Sequence, residues 1–149
     1  MRYDKEKVYS GIAVEMASER YRLYSRATRK TPEVFLQEGG FVIEGRSIPE
    51  NPRAFYKPLY EWMLEMFAEA GGSPSVDFAF DYLNTASAKW VFIILRDLMA
   101  TGKDFKIVWY YERGDDDMLD LGLIYKSLLG CQFVAIEVDE IPVLGQLEI

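Results

Sequence analysis

The sequence predicts an α/β domain: a mixed, mainly parallel sheet of about five strands, three main helices on one face, and a β-hairpin at the start. Three observations predict it. Two short strand-like runs flank Glu38-Gly39-Gly40, a glycine-containing hairpin loop. After them, apolar residues at helical spacing alternate three times with strand-like runs. Strands separated by helical crossovers pair in parallel.

The elements follow in order. Val8, Ile12 and Met16 recur at four-residue spacing, which suggests a short amphipathic helix after Asp4, weakened by Gly11. Arg20, Arg22, Arg26, Arg29 and Lys30 form a basic patch that reads as a solvated face. Thr31-Pro32 is a boundary signal. Glu33 to Gln37 and Phe41 to Glu44 read as the hairpin strands, and Arg46 to Glu50 as a connector. Asn51-Pro52 starts the first long helix as an N-cap followed by proline at the first helical position. Phe55, Leu59, Trp62, Met63, Met66 and Phe67 share one face of it, and Pro58 should kink or divide it. Gly71-Gly72-Ser73-Pro74 ends it.

Val76 to Leu83 alternates, with Val76, Phe78, Phe80 and Tyr82 on one side. A sheet buried on both faces gives continuous apolar runs instead, so the second face should be partly open or covered by residues 1–20. A second helix runs from about Ala86 to Thr101. Val91, Ile94, Leu95 and Leu98 form its core stripe; Trp90, Phe92 and Ile93 widen the apolar surface. Phe105 to Tyr111 is a strand, and Glu112 to Asp117 an acidic loop. Met118, Leu121, Tyr125 and Leu128 mark a third helix capped by Gly130. Phe133 to Val138 is the last strand, and Ile141 to Ile149 a tail that packs as a short helix or an edge. Residues 1–20 read as an N-terminal extension and 21–149 as the domain.

Composition excludes several functions. The net charge of −7 repels a nucleic-acid backbone. With no histidine there is no Ser-His-Asp triad, Cys-His pair or imidazole metal ligand. The single Cys131, beside a strand start, gives no disulfide framework; it reads as a small core residue in a reducing cytoplasm. No apolar run approaches the ~20 residues of a membrane span. No metal or cofactor motif appears: there is no Gly-rich phosphate loop, and the acidic loop lacks EF-hand spacing.

The chemistry gathers at Asp81-Tyr82-Leu83-Asn84-Thr85-Ala86-Ser87-Ala88-Lys89, where a strand hands over to a helix. Unpaired N–H groups and the positive end of the dipole favour a phosphate there. Thr85 is the candidate acceptor, and Ser87 a weaker second choice. Asn84 and Ser87 shape the site and Lys89 senses its charge. Asn84-Thr85 equally reads as an ordinary N-cap. In a parallel sheet the acidic loop lies on the same edge. Asp115, Asp116 and Asp117 then form a docking surface, or simply a cap with dipole-favoured acids. Trp90, Phe92 and Ile93 are candidate partner contacts, with core packing claiming at least one. Asp81, Thr85 and Lys89 supply the residue types of an aspartate-phosphorylated receiver, but the first strand lacks its acidic pair.

Several blocks in order carry a family resemblance. They are Gly45-Arg46-Ser47-Ile48-Pro49-Glu50-Asn51-Pro52, Phe55-Tyr56-Lys57-Pro58-Leu59, Leu83-Asn84-Thr85-Ala86-Ser87-Ala88-Lys89, and Trp109-Tyr110-Tyr111-Glu112 with Asp115-Asp116-Asp117-Met118. Over about residues 23 to 138 the chain resembles the SiaC family of bacterial regulatory phosphoproteins. That resemblance implies a STAS-like fold, similar to anti-sigma-factor antagonists, and a partner-switching role. It implies phosphorylation of a threonine by a cognate protein kinase and its reversal by a PP2C-like phosphatase. In the best-known member the unphosphorylated form binds and activates a diguanylate cyclase, promoting cyclic-di-GMP signalling in biofilm formation. The family's Asn-Thr-Ser-Ser-x-Lys pattern places its threonine on Thr85; here Ala86 replaces the first serine. Two alternatives come from other classes. A small enzyme would need carboxylates such as Asp81 and Asp115 converging in a deep pocket. A structural homodimerisation module would need an apolar patch away from Thr85.

Overall fold

The computed structural model describes residues 22–130 and 132–141. Its sheet has six strands: β1 (Arg22–Ser25), β2 (Glu33–Gln37), β3 (Gly40–Ser47), β4 (Ser75–Leu83), β5 (Lys106–Glu112) and β6 (Gln132–Val138). They lie in the order β1-β2-β3-β4-β5-β6. The first three pair antiparallel and the last four, from β3 onward, pair parallel. Three helices make the parallel crossovers: α1 (Pro52–Glu69), α2 (Thr85–Ala100) and α3 (Asp116–Leu129).

The expected architecture is present with one extra strand. β1 is four residues long and lies inside what reads as a basic solvated patch. Its backbone pairs with β2 whatever its side chains do, so hydropathy does not announce it. β3 likewise continues through Arg46 to Ser47, beyond the expected end at Glu44. Parallel pairing with β4 up to Leu83 holds that segment extended. α1 passes through Pro58 as one helix. The prediction for residues 4–20, the small-core reading of Cys131 and the tail beyond Ile141 lie outside the described residues.

All three helices pack on one face. Val76, Phe78 and Phe80 of β4, with Ile107 and Trp109 of β5, meet Leu59, Met63 and Phe67 of α1, Val91, Leu95 and Leu98 of α2, and Met118 and Tyr125 of α3. Trp109 is 0% exposed and its indole N–H donates to the Met118 carbonyl at 2.9 Å. That approach needs a helix without a side chain opposite the ring: a Cβ on Gly122 would lie 2.5 Å from Trp109 Cδ1.

The second face is closed over the middle of β3, β4 and β5 and open along β6, where Val134, level with Val108, is 45% exposed. Val42 is 0% exposed and Ala79, Val108 and Tyr110 are 2% or less. Ile141 packs on the last three. The carboxyl groups of Glu44 and Asp77 are buried on this face as well. The alternative expectation, a cover by residues 1–20, falls outside the described residues.

Candidate functional site: the head of α2

The strand-to-helix corner forms as a helix start. Asn84 is the N-cap of α2, with extended backbone, and its side chain accepts the Ser87 N–H at 2.9 Å. Its carbonyl takes the Ala88 N–H at 2.9 Å. Thr85 therefore holds the first helical position, and it is exposed. The cap reading and the phosphoacceptor reading thus fall on different residues: Asn84 caps, which leaves the Thr85 hydroxyl outside. Lys89, one turn on, is exposed too.

Ser87 differs from expectation. It is 0% exposed, and its hydroxyl donates to the Ser47 carbonyl at 3.1 Å. A kinase has no access to it in this conformation. Periodicity cannot reveal this, because serine is polar by type and the hydroxyls it meets lie far away in sequence.

On the same sheet edge, Asp115 caps α3 by accepting the Met118 N–H at 3.1 Å. Asp116 and Asp117 are exposed in the first turn. What reads as one acidic loop is thus the end of β5 at Glu112, a short turn and a capped helix. α2 and α3 meet where the Tyr125 hydroxyl donates to the Ala88 carbonyl and the Phe92 and Tyr125 rings lie 6.0 Å apart. Trp90 turns to the other flank and stacks on Tyr56, centroids 6.2 Å apart and planes 8° from parallel. Trp90 and Phe92 both pack against the core while half-buried; Ile93 is half-buried.

Asp81 is paired with Arg46 at 3.2 Å. Desolvation pushes its carboxyl above the ordinary range, against the opposing pull of Arg46. A cleft of about 320 Å³ lies at the opposite sheet edge, between the β2–β3 hairpin and the end of α1, lined by Arg22, Glu38, Met66 and Pro74 among others. A second lies on the outer side of α3, between Asp120 and Leu128. Neither contains Asp81, Thr85 or Asp115.

α3 also departs from its predicted phase. Leu128, expected in the core, is 65% exposed, while Leu129 is 8% exposed. With Leu123 and Ile124 it forms an outward apolar ridge, the kind of feature the dimerisation alternative requires. Among the described residues, no helix is long and apolar enough to cross a membrane.

Thr85 thus stands exposed at the head of a long helix on a mixed α/β sheet, and neither of the two clefts reaches it. A family model described as SiaC family regulatory phosphoprotein matches residues 25–138. The chain belongs to that family. It is 28% identical over 117 residues to an uncharacterized protein of Pseudomonas aeruginosa (strain UCBPP-PA14), covering 74% of this chain and 90% of that one. Among solved structures it resembles a chain from the diguanylate cyclase SiaD in complex with its activator SiaC, from Pseudomonas aeruginosa. The TM-score is 0.68 at 22% identity, over 78% of this chain and all of that one. SiaC of Pseudomonas aeruginosa on its own gives a TM-score of 0.67, also at 22% identity, over 76% and 96% of the two chains. At that identity the structural likeness speaks for the fold.

Proposed function

We propose that this protein is a non-enzymatic, cytoplasmic partner switch whose phosphoacceptor is Thr85. A cognate protein kinase transfers the γ-phosphoryl group of ATP to Thr85 Oγ1, and a PP2C-like phosphatase hydrolyses it. The unphosphorylated form binds and regulates an output protein, by analogy with SiaC a diguanylate cyclase. One observation carries the reading: in a member of a regulatory phosphoprotein family, Thr85 is exposed at the first position of a long helix while Asn84, not Thr85, makes the cap. A phosphate there adds roughly −1.5 to −2 charges without breaking a core contact. Asp115, Asp116 and Asp117 at the head of α3, with Ile93 and the exposed edges of Trp90 and Phe92, supply the rest of the docking surface, and Lys89 senses the added charge. The carboxylate enzyme would need Asp81 and Asp115 in one cleft, and neither of the two clefts holds either residue.

The test is intact mass after incubation with the cognate kinase and ATP. Wild type gains one phosphate, about 80 Da, and Thr85→Ala gains none. Equal uptake by both proteins would sink the assignment.

A further inference from the structure

Beneath exposed Thr85 the chain buries three hydroxyls that a simple cap does not require. Ser47, Tyr56 and Ser87 are 0%, 1% and 0% exposed. They come from the end of β3, the head of α1 and the first turn of α2. Each carries one hydrogen, and the geometry orders them. Ser87 O–H donates to the Ser47 carbonyl at 3.1 Å, and Ser47 O–H donates to Ser87 Oγ at 2.9 Å. That leaves Tyr56 O–H as donor to Ser47 Oγ. The Ser47 carbonyl also accepts the Asn84 N–H at 3.1 Å. Asn84 and Ser87, which bracket Thr85-Ala86, are thus both tied to Ser47, and Ser47 is tied to α1. A buried hydroxyl left without a partner has lost its bonds to water and gained none in return, so displacing one member strains the others.

We propose that the Ser47–Tyr56–Ser87 cluster is a positioning device that couples the Thr85 corner to the head of α1, so that a phosphate on Thr85 is felt at Phe55 and Tyr56. The proposal rests on Thr85 being the modified residue. Asn84 is the point of entry. Its neutral side-chain oxygen holds the Ser87 N–H at 2.9 Å. Phosphothreonine at the next residue brings anionic acceptors beside that N–H, and a charged acceptor bonds roughly twice as strongly as a neutral one. Moving the Ser87 amide toward the phosphate carries Ser87 Oγ away from Ser47. The displacement passes to Tyr56 through the one hydroxyl that joins them, and to Trp90, which stacks on the Tyr56 ring.

The experiment uses the full chain with phosphothreonine genetically encoded at position 85, and compares amide hydrogen exchange with the unmodified protein. Phosphorylation should change protection roughly threefold or more at Asn84, Phe55 and Tyr56. In the Tyr56→Phe background the change at Asn84 persists and the change in α1 disappears. Ser47→Ala should give the same pattern, and it decides the matter should Tyr56→Phe not fold. A phosphate effect confined to residues 84–89 in wild type overturns the coupling. So does an α1 response that survives both substitutions. A purely structural role for the hydroxyls would shift both phosphorylation states equally and leave their difference unchanged. Because the codon places the phosphate, a kinase that modified some other residue would remove the reading of Thr85 without altering this measurement.

Discussion

Glu44 shows how a single residue sets a property of the whole fold. It is 2% exposed on the second face of the sheet, and desolvation raises its carboxyl from an ordinary value of 4.5 to about 8. The folded protein therefore keeps a proton that the unfolded chain releases near pH 4.5. Stability from this group is complete below that pH and is lost as pH rises through about 8. At pH 7 the loss amounts to roughly 3 kcal/mol. Denaturant melts of Glu44→Gln between pH 4.5 and 8 should show a flatter pH dependence and higher stability than wild type at pH 8. Parallel curves for the two proteins would place the titration elsewhere. The sequence shows a glutamate in a strand; only the folded sheet makes that glutamate buried.

At the scale of the element, α1 has no basic residue in its last turn, yet its C-terminus is satisfied. Lys103, in the loop after α2, donates its ammonium to the carbonyls of Phe67 at 2.6 Å and Ala70 at 2.5 Å. It also lies 5.3 Å from the Phe67 ring centroid. A cation on the last carbonyls of a helix opposes their partial negative charge. Lys103→Met keeps most of the stem and removes the charge. It should cost about 1–3 kcal/mol, read as a lower urea midpoint with unchanged slope. No shift in midpoint would mean the contact contributes nothing. The helix starts were legible because Asn51-Pro52 and Asn84-Thr85 are local capping chemistry. The C-terminal support from Lys103 was not, since donor and acceptors stand more than thirty residues apart. Leu128 was misplaced for a related reason. Hydrophobic spacing cannot tell which of two adjacent leucines faces the sheet.

Across the whole molecule, the fold and the proposed docking surface are separable. The core lies between the helices and one face of the sheet, whereas Thr85, Asp116 and Asp117 stand on the carboxyl edge outside it. Thr85→Asp puts a carboxylate at the first turn of α2, where the dipole favours it by about 0.3–1 kcal/mol. Its melting temperature should match or slightly exceed that of wild type. Affinity for the output protein, measured by titration calorimetry, should fall about tenfold or more, the 1.4 kcal/mol expected of one misplaced charge. A melting temperature lowered by several degrees would show that the corner is part of the core. Unchanged affinity would remove the charge switch.

The order of the main elements, the mainly parallel sheet and the helix starts follow from local information: alternation, helical spacing, and capping residues read within a few positions. Family resemblance adds the phosphoprotein reading because its blocks recur in order along one chain. Contacts between distant residues are of another kind. The burial of Ser87 against Ser47 and Tyr56 needs three elements to converge. So does the capture of the end of α1 by Lys103, and the burial of Glu44. Hydroxyl, ammonium and carboxylate carry the same pattern in sequence whether they face solvent or one another. Packing decides which, because desolvation and hydrogen-bond partners exist only once the chain has folded.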